Sequence, residues 1–138
     1  MKKVIVVLVC LVFLGGCATD TTITVTELGN RNRHNLTKLS IGMSKEQVFE
    51  IMGEEAGKEH IGPLLASYGN VSVTNPYKKE ILQGKNETYE VYYYFTSKAR
   101  YNITDKELTP LVFGEGKLMG WGWRFIETNI QKYELRIR

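Results

Sequence analysis

Thr88-Tyr89-Glu90-Val91-Tyr92-Tyr93-Tyr94-Phe95-Thr96-Ser97 is the stretch on which the fold turns. Val91 and five aromatics packed into this run are the composition of a β-strand. Side chains alternate across a strand, so Tyr89, Val91, Tyr93 and Phe95 share one face, and Glu90, Tyr92, Tyr94 and Thr96 the other. Other strand signals surround it. Asn75-Pro76 is a turn dipeptide leading into a strand over Tyr77–Leu82, and Gln83-Gly84-Lys85-Asn86 closes that strand. Beyond a polar loop, Lys98–Lys106, come a strand over Leu108–Phe113, a tight turn at Gly114-Glu115-Gly116 and a strand over Lys117–Gly122. Pro110 has no N–H to give a ladder, so the Leu108–Phe113 strand is expected at an edge or a bulge.

The ends of the chain carry helical patterns. Arg31–Leu39 reads as a short helix, with Leu36 and Leu39 at i, i+3. Ile41-Gly42-Met43 breaks it. Ser44 and Gln47 form a capping box, Val48, Ile51 and Met52 an apolar stripe, and Gly53 a glycine stop, so a second helix runs between Ser44 and Gly53. Glu54–Asn75 has no clear period and reads as a long connection, with a short strand or turn inside it as the alternative. Trp123–Gln131 reads as a terminal helix, and Tyr133, Leu135 and Ile137 alternate with Glu134, Arg136 and Arg138 as a last short strand. The expected fold is α+β: two N-terminal helices packed on one face of a three- to four-stranded antiparallel sheet, with an extra C-terminal helix or strand.

The first residues follow a different logic. Lys2 and Lys3 precede an unbroken apolar run, Val4–Leu14, and Leu14-Gly15-Gly16-Cys17 closes it. The eleven apolar residues are too few to anchor across a bilayer, which takes about 20. They suit a secretory leader. Leu14-Gly15-Gly16-Cys17 resembles the lipobox of bacterial lipoproteins. That resemblance implies cleavage before Cys17, lipid on its thiol and acylation of the new amine. Ala18-Thr19 lacks the aspartate associated with inner-membrane retention, so the expected site is the periplasmic face of the outer membrane of a Gram-negative host. Ala18–Asn30, with five threonines, reads as a tether. A strand over Thr22–Thr26 is the alternative there. The organisation expected is a leader over 1–16, a lipidated Cys and tether over 17–30, and a single domain over 31–138.

Composition narrows the function. Loss of Lys2 and Lys3 takes the net charge from +3 to +1, too weak for a nucleic-acid binder. Cys10 leaves with the leader and Cys17 carries lipid, so no thiol remains for a disulfide, a nucleophile or zinc. Asn35, Asn70, Asn86 and Asn102 head glycosylation sequons, which matter only in a eukaryotic secretory route. The only aspartates are Asp20 and Asp105, and His34 and His60 stand apart in sequence. Ser67 and Ser72 lack a nucleophile-elbow setting, and Gly114-Glu115-Gly116 is no phosphate loop. Neither a metal nor a cofactor is expected, nor a small-molecule substrate.

Two stretches carry a further resemblance. Leu39-Ser40-Ile41-Gly42-Met43-Ser44-Lys45-Glu46-Gln47-Val48 with Gly53 resembles the helical signature of small outer-membrane lipoproteins of the SmpA/OmlA/BamE kind. Leu108-Thr109-Pro110-Leu111-Val112-Phe113 with Gly116-Lys117-Leu118-Met119-Gly120-Trp121-Gly122 resembles an uncharacterised group of lipoproteins thought to share that fold. The resemblance implies two helices on one face of an antiparallel sheet, as in β-lactamase inhibitor proteins, and a role beside outer-membrane barrel assembly. If the Tyr89 face is core and helices cover one face only, Tyr92 and Tyr94 lie open. Met119, Trp121 and Trp123 share a parity and could join them as a partner-binding surface. The alternative is that Arg124–Arg138 folds back over that face. The function expected is a non-enzymatic envelope lipoprotein, a structural or adaptor module for a protein partner. The alternative is a proteinaceous inhibitor of a periplasmic enzyme, with Glu54–Asn75 as the inserted loop.

Overall fold

The computed structural model describes residues 23–62, 69–83, 87–100, 102–133 and 136–137; the leader, Cys17 and Ser67 lie outside them. The fold is α+β. In chain order the elements are α1 (Val25–Leu36), α2 (Lys45–Met52), β1 (Ala56–His60), β2 (Asn70–Thr74), β3 (Lys78–Gln83), β4 (Thr88–Phe95), a 3-10 turn (Asp105–Glu107), β5 (Leu108–Gly114), β6 (Lys117–Trp121), α3 (Trp123–Tyr133) and β7 (Arg136–Ile137). β1 and β2 form a separate antiparallel hairpin, and the main antiparallel sheet has the order β6-β5-β4-β3-β7.

The expected strands over Tyr77–Leu82, Thr88–Ser97, Leu108–Phe113 and Lys117–Gly122 correspond to β3 to β6. β5 is nevertheless an interior strand. Its Pro110 is tolerated because the β5–β6 register runs only from Leu111↔Trp121 to Gly114↔Lys117, so Pro110 lies past its end. Glu115 and Gly116 both have positive φ, 51° and 73°, which is the two-residue hairpin turn that matches strand twist.

α1 corrects the sequence reading. It starts at Val25 and ends at Leu36, so residues 23–30, expected in the tether, belong to the domain. Thr24 is its N-cap, and Thr24 and Glu27 form a reciprocal capping box. The inner stripe is Val25, Leu28, Asn32 and Asn35, all buried. Two of those four positions are amides, so an apolar period does not show. α2 keeps its expected capping box, Ser44 with Gln47, and its glycine stop, Gly53 at φ +73°. The Glu54–Asn75 connection holds two strands, more than the single short strand or turn that its sequence allowed. The two strands form an antiparallel hairpin, paired from Ala56↔Thr74 to His60↔Asn70.

The helices do not share a face of the sheet. α1, the β1–β2 hairpin and α3 pack on the face of Tyr89, Val91, Tyr93 and Phe95, with Val25, Leu28, Val71, Val73 and Ile126 in that core. α2 packs on the opposite face, where Val48 and Met52 meet Tyr92, Tyr94, Leu111, Phe113 and Leu118. From Val91 to Phe95 every residue of β4 is buried. The chain changes sides through Thr37–Ser44. Gly42 N–H donates to Leu118 O (2.8 Å), Leu118 N–H to Met43 O (2.8 Å), and Lys45 N–H to Gly116 O (3.1 Å). This segment therefore covers the β6 edge, one way to protect strand N–H and C=O groups.

Candidate functional site

The five residues expected to form one open surface are divided by the sheet. Tyr92 is 7% exposed and Tyr94 fully buried, because α2 covers them. Trp121 packs partly buried against that same core, whereas Met119 and Trp123 pack against the other one. Trp123 is the first residue of α3, reached through Gly122 at φ +86°, and the split between Met119 and Trp121 comes from a β-bulge. Phe113 pairs with Leu118 and Val112 with Gly120, so Met119 is an extra residue that reverses the parity after it. The alternative, Arg124–Arg138 folding back, is met on the opposite side: Phe125 and Ile126 of α3 join the Tyr93 core, and a β-carbon at Gly120 would collide with the Phe125 ring.

Each face of the sheet ends in an aromatic and charged cluster. On the α2 side, Tyr92 stands edge-on to Phe49 (centroids 4.9 Å) and Phe113 (5.6 Å). Lys45 and Lys79 approach the same ring, with Nζ 5.8 and 5.0 Å from its centroid. Both ammonium groups are held by one carboxylate: Glu90 takes Lys45 at 2.6 Å and Lys79 at 2.5 Å, and accepts from the Tyr92 hydroxyl at 2.8 Å. Bonds from Lys45, Lys79 and Tyr92 draw the Glu90 carboxyl down to about 2, and the bond to Glu90 raises both lysines.

On the other side, Tyr93 donates to Glu80 (2.6 Å), lies 5.7 Å from Trp123 between centroids and carries Lys78 4.3 Å above its ring. Lys78 pairs with Glu80 and Asp105, both at 3.1 Å, and the Trp123 indole donates to Leu108 O (2.7 Å) and Asp105 O (2.9 Å). Burial, then the bond to Glu80, pushes the Tyr93 phenol well above its ordinary range. Every charge named here has an opposite partner, with two lysines sharing Glu90 in the first cluster and Glu80 and Asp105 sharing Lys78 in the second. Sequence reading missed both because their cross-strand partners are far apart in the chain.

Chemistry-bearing residues are otherwise scattered. His34 lies on α1, and His60, on β1, sits 3.1 Å from Asn70. Ser72 is an exposed β2 residue. Among the described residues no group of three His, Cys, Asp or Glu could hold a metal, and no helix is long and apolar enough to cross a membrane. A shallow concavity of about 470 Å³ lies on the hairpin, lined by Lys58, Glu59, His60, Asn70, Val71 and Ser72. The exposed large apolar residues are Ile41 (73%), Ile81 (54%) and Tyr77 (37%), among the described residues. Ile81 and Tyr77 lie on or beside β3. Only Leu82 and Gln83 of that strand's outer edge are paired, with β7, so Lys78–Ile81 present an open edge among the described residues.

The geometry defines a small α+β domain whose sheet is covered on both faces and partly open at one edge. The chain belongs to the family described as "Protein of unknown function (DUF3192)", which matches residues 10–128. No curated protein and no solved structure matches it.

Proposed function

We propose that this chain is an envelope lipoprotein, anchored by acylated Cys17 to the periplasmic face of the outer membrane, whose domain is a non-enzymatic structural or adaptor module for a protein partner. The observation that carries the reading is Leu14-Gly15-Gly16-Cys17 directly behind the apolar run Val4–Leu14, inside the matched range 10–128. A single acyl chain binds a membrane only marginally, and more than one makes the attachment stable. Outer-membrane assembly or integrity is the process that the likeness to BamE-type lipoproteins suggests.

The partner-binding part of the sheet moves from its aromatic face to its edge. Tyr92 and Tyr94 are core, but the Lys78–Ile81 edge of β3 has backbone groups and the exposed Ile81 to offer an added strand. The test has two parts. Mass spectrometry of the membrane-extracted protein is expected to show a mature terminus at Cys17 with acyl groups; an intact leader or a bare Cys17 overturns the anchoring. A photo-cross-linker at Ile81 is expected to trap one envelope protein that the same probe at Lys117 does not, and a deletion strain with normal detergent resistance and outer-membrane profile overturns the adaptor role. The alternative, an inhibitor of a periplasmic enzyme, would present the projecting β1–β2 hairpin; slowing of β-lactamases or cell-wall enzymes by the purified protein would favour it.

A further inference from the structure

We propose that the end of the domain where α1 begins is its membrane-facing surface, with Lys58 and Lys98 set against anionic lipid headgroups. This rests on acylation of Cys17. The described part of the domain starts at Ile23, and five residues, Ala18–Thr22, lie between it and Cys17 in the sequence. Whatever their conformation, they let Ile23 stand no more than about 22 Å from Cys17. A domain of this length is about 35 Å across. The tether is shorter than the body it holds, so the far end cannot turn to the lipid while the near end stays free of it.

The near end is defined by contacts. Lys58 N–H donates to Ile23 O (2.9 Å), and Ile23 bridges Gly57 in parallel, so the chain leaves the domain beside β1. Ala99 N–H donates to Thr26 Oγ1 (3.2 Å), which brings the 98–99 segment to the first turn of α1. Lys58 and Lys98 are both exposed, and neither has an ion pair among the described residues. The acidic groups beside them are engaged by the helix start. Glu59 accepts from Thr26 N–H (2.9 Å) and Glu27 from Thr24 N–H (2.9 Å). Lys45, Lys78 and Lys79 are each bound to a carboxylate, but Lys38, Lys106 and Lys117 are, like Lys58 and Lys98, exposed and without an ion pair among the described residues, so it is the short tether that selects Lys58 and Lys98. Two ammonium groups without an ion pair among the described residues therefore flank the point where the anchor leaves, while Glu27 and Glu59 offset the positive end of α1. A lysine near an anionic leaflet favours its approach roughly fivefold.

The opposite end is the β5–β6 turn. The register Tyr89↔Gly114 and Phe95↔Leu108 places that turn at the other end of β4 from Ser97, about 26 Å away. Nitroxides at Lys58→Cys, Lys98→Cys and, as the far reporter, Lys117→Cys test the orientation. The mature acylated protein is reconstituted in phosphatidylethanolamine vesicles rich in phosphatidylglycerol and containing a nickel-chelating lipid. Relaxation by the nickel headgroups is expected to be several-fold stronger at 58 and 98 than at 117. A long Gly/Ser insertion after Ala18, or phosphatidylcholine vesicles, should narrow the difference. Equal relaxation at the three positions overturns the orientation, and a difference unchanged in phosphatidylcholine overturns the role of the lysines. Mass spectrometry on the same sample reports the acyl groups, so absence of the anchor is distinguished from a wrong orientation.

Discussion

The side-chain amides of Asn32 and Asn75 exchange two hydrogen bonds in the interior, Asn32 Nδ2 to Asn75 Oδ1 at 2.8 Å and Asn75 Nδ2 to Asn32 Oδ1 at 2.7 Å. Asn32 also donates to Phe95 O (2.7 Å) and Asn75 to Met52 O (3.3 Å). The pair thus ties α1 to the end of β4, the end of α2 and the β2–β3 turn. Their relative exposures are 0% and 5%, so water does not substitute for a missing partner.

Removing either amide leaves the other buried and unpaired, which costs more than the net worth of a hydrogen bond. Asn32→Ala and Asn75→Ala are each expected to lower stability by about 2–4 kcal/mol. The double variant should lose less than the sum. Urea unfolding of the four proteins measures this, and additive losses would show that the two amides act independently.

Gly29 sits inside α1 against the end of β4. A β-carbon there would overlap the Ser97 carbonyl oxygen and lie 3.1 Å from the Phe95 ring. In an open helix Gly→Ala gains about 1 kcal/mol. Here backbone meets backbone, so Gly29→Ala is expected to destabilise by about 2 kcal/mol or more. A rise in the thermal midpoint would mean that helix and strand do not approach this closely.

Glu90 carries the acid dependence. Its carboxyl titrates near 2 in the folded chain against an ordinary 4.5, so its stabilisation is full above about pH 4.5 and is lost as the pH falls toward 2. Glu90→Gln keeps the shape but leaves Lys45 and Lys79 without a counter-charge. The expected loss at pH 7 is about 1 kcal/mol, given partial exposure and screening. The urea midpoints of the two proteins should converge on acidification; a gap of constant size between pH 7 and pH 3 would contradict the ion-pair origin.

The Tyr94 hydroxyl is buried and has no hydrogen-bond partner among the described residues, and burial raises its phenol well above the ordinary range. Tyr94→Phe is therefore expected to be neutral or stabilising by up to about 1 kcal/mol. Tyr93→Phe removes the 2.6 Å bond to Glu80 and should cost about 1–2 kcal/mol. Equal losses in the two variants would mean that Tyr94 has a partner after all.

The amino-acid order alone settled four of the five strands of the main sheet, β3 to β6, the capped helix after Ser44 and the α+β class. Each follows from contacts between near neighbours: a period of two, a Ser–Gln box three residues apart, two residues of positive φ in a turn. The start of α1 had a local signal, Thr24 with Glu27, but the buried amides at Asn32 and Asn35 interrupt the apolar period that would have extended the helix toward it. What only the tertiary structure decided is which side of the sheet each element takes. The crossing of Thr37–Ser44 onto the β6 edge puts α2 over Tyr92 and Tyr94. The extra residue Met119 puts its own side chain and Trp121 on opposite faces, and β6 ends at Trp121, so Trp123 is placed by α3 after Gly122 (φ +86°). Face assignment depends on packing between segments far apart in the chain, and a single bulge inverts a parity that alternation alone treats as unbroken.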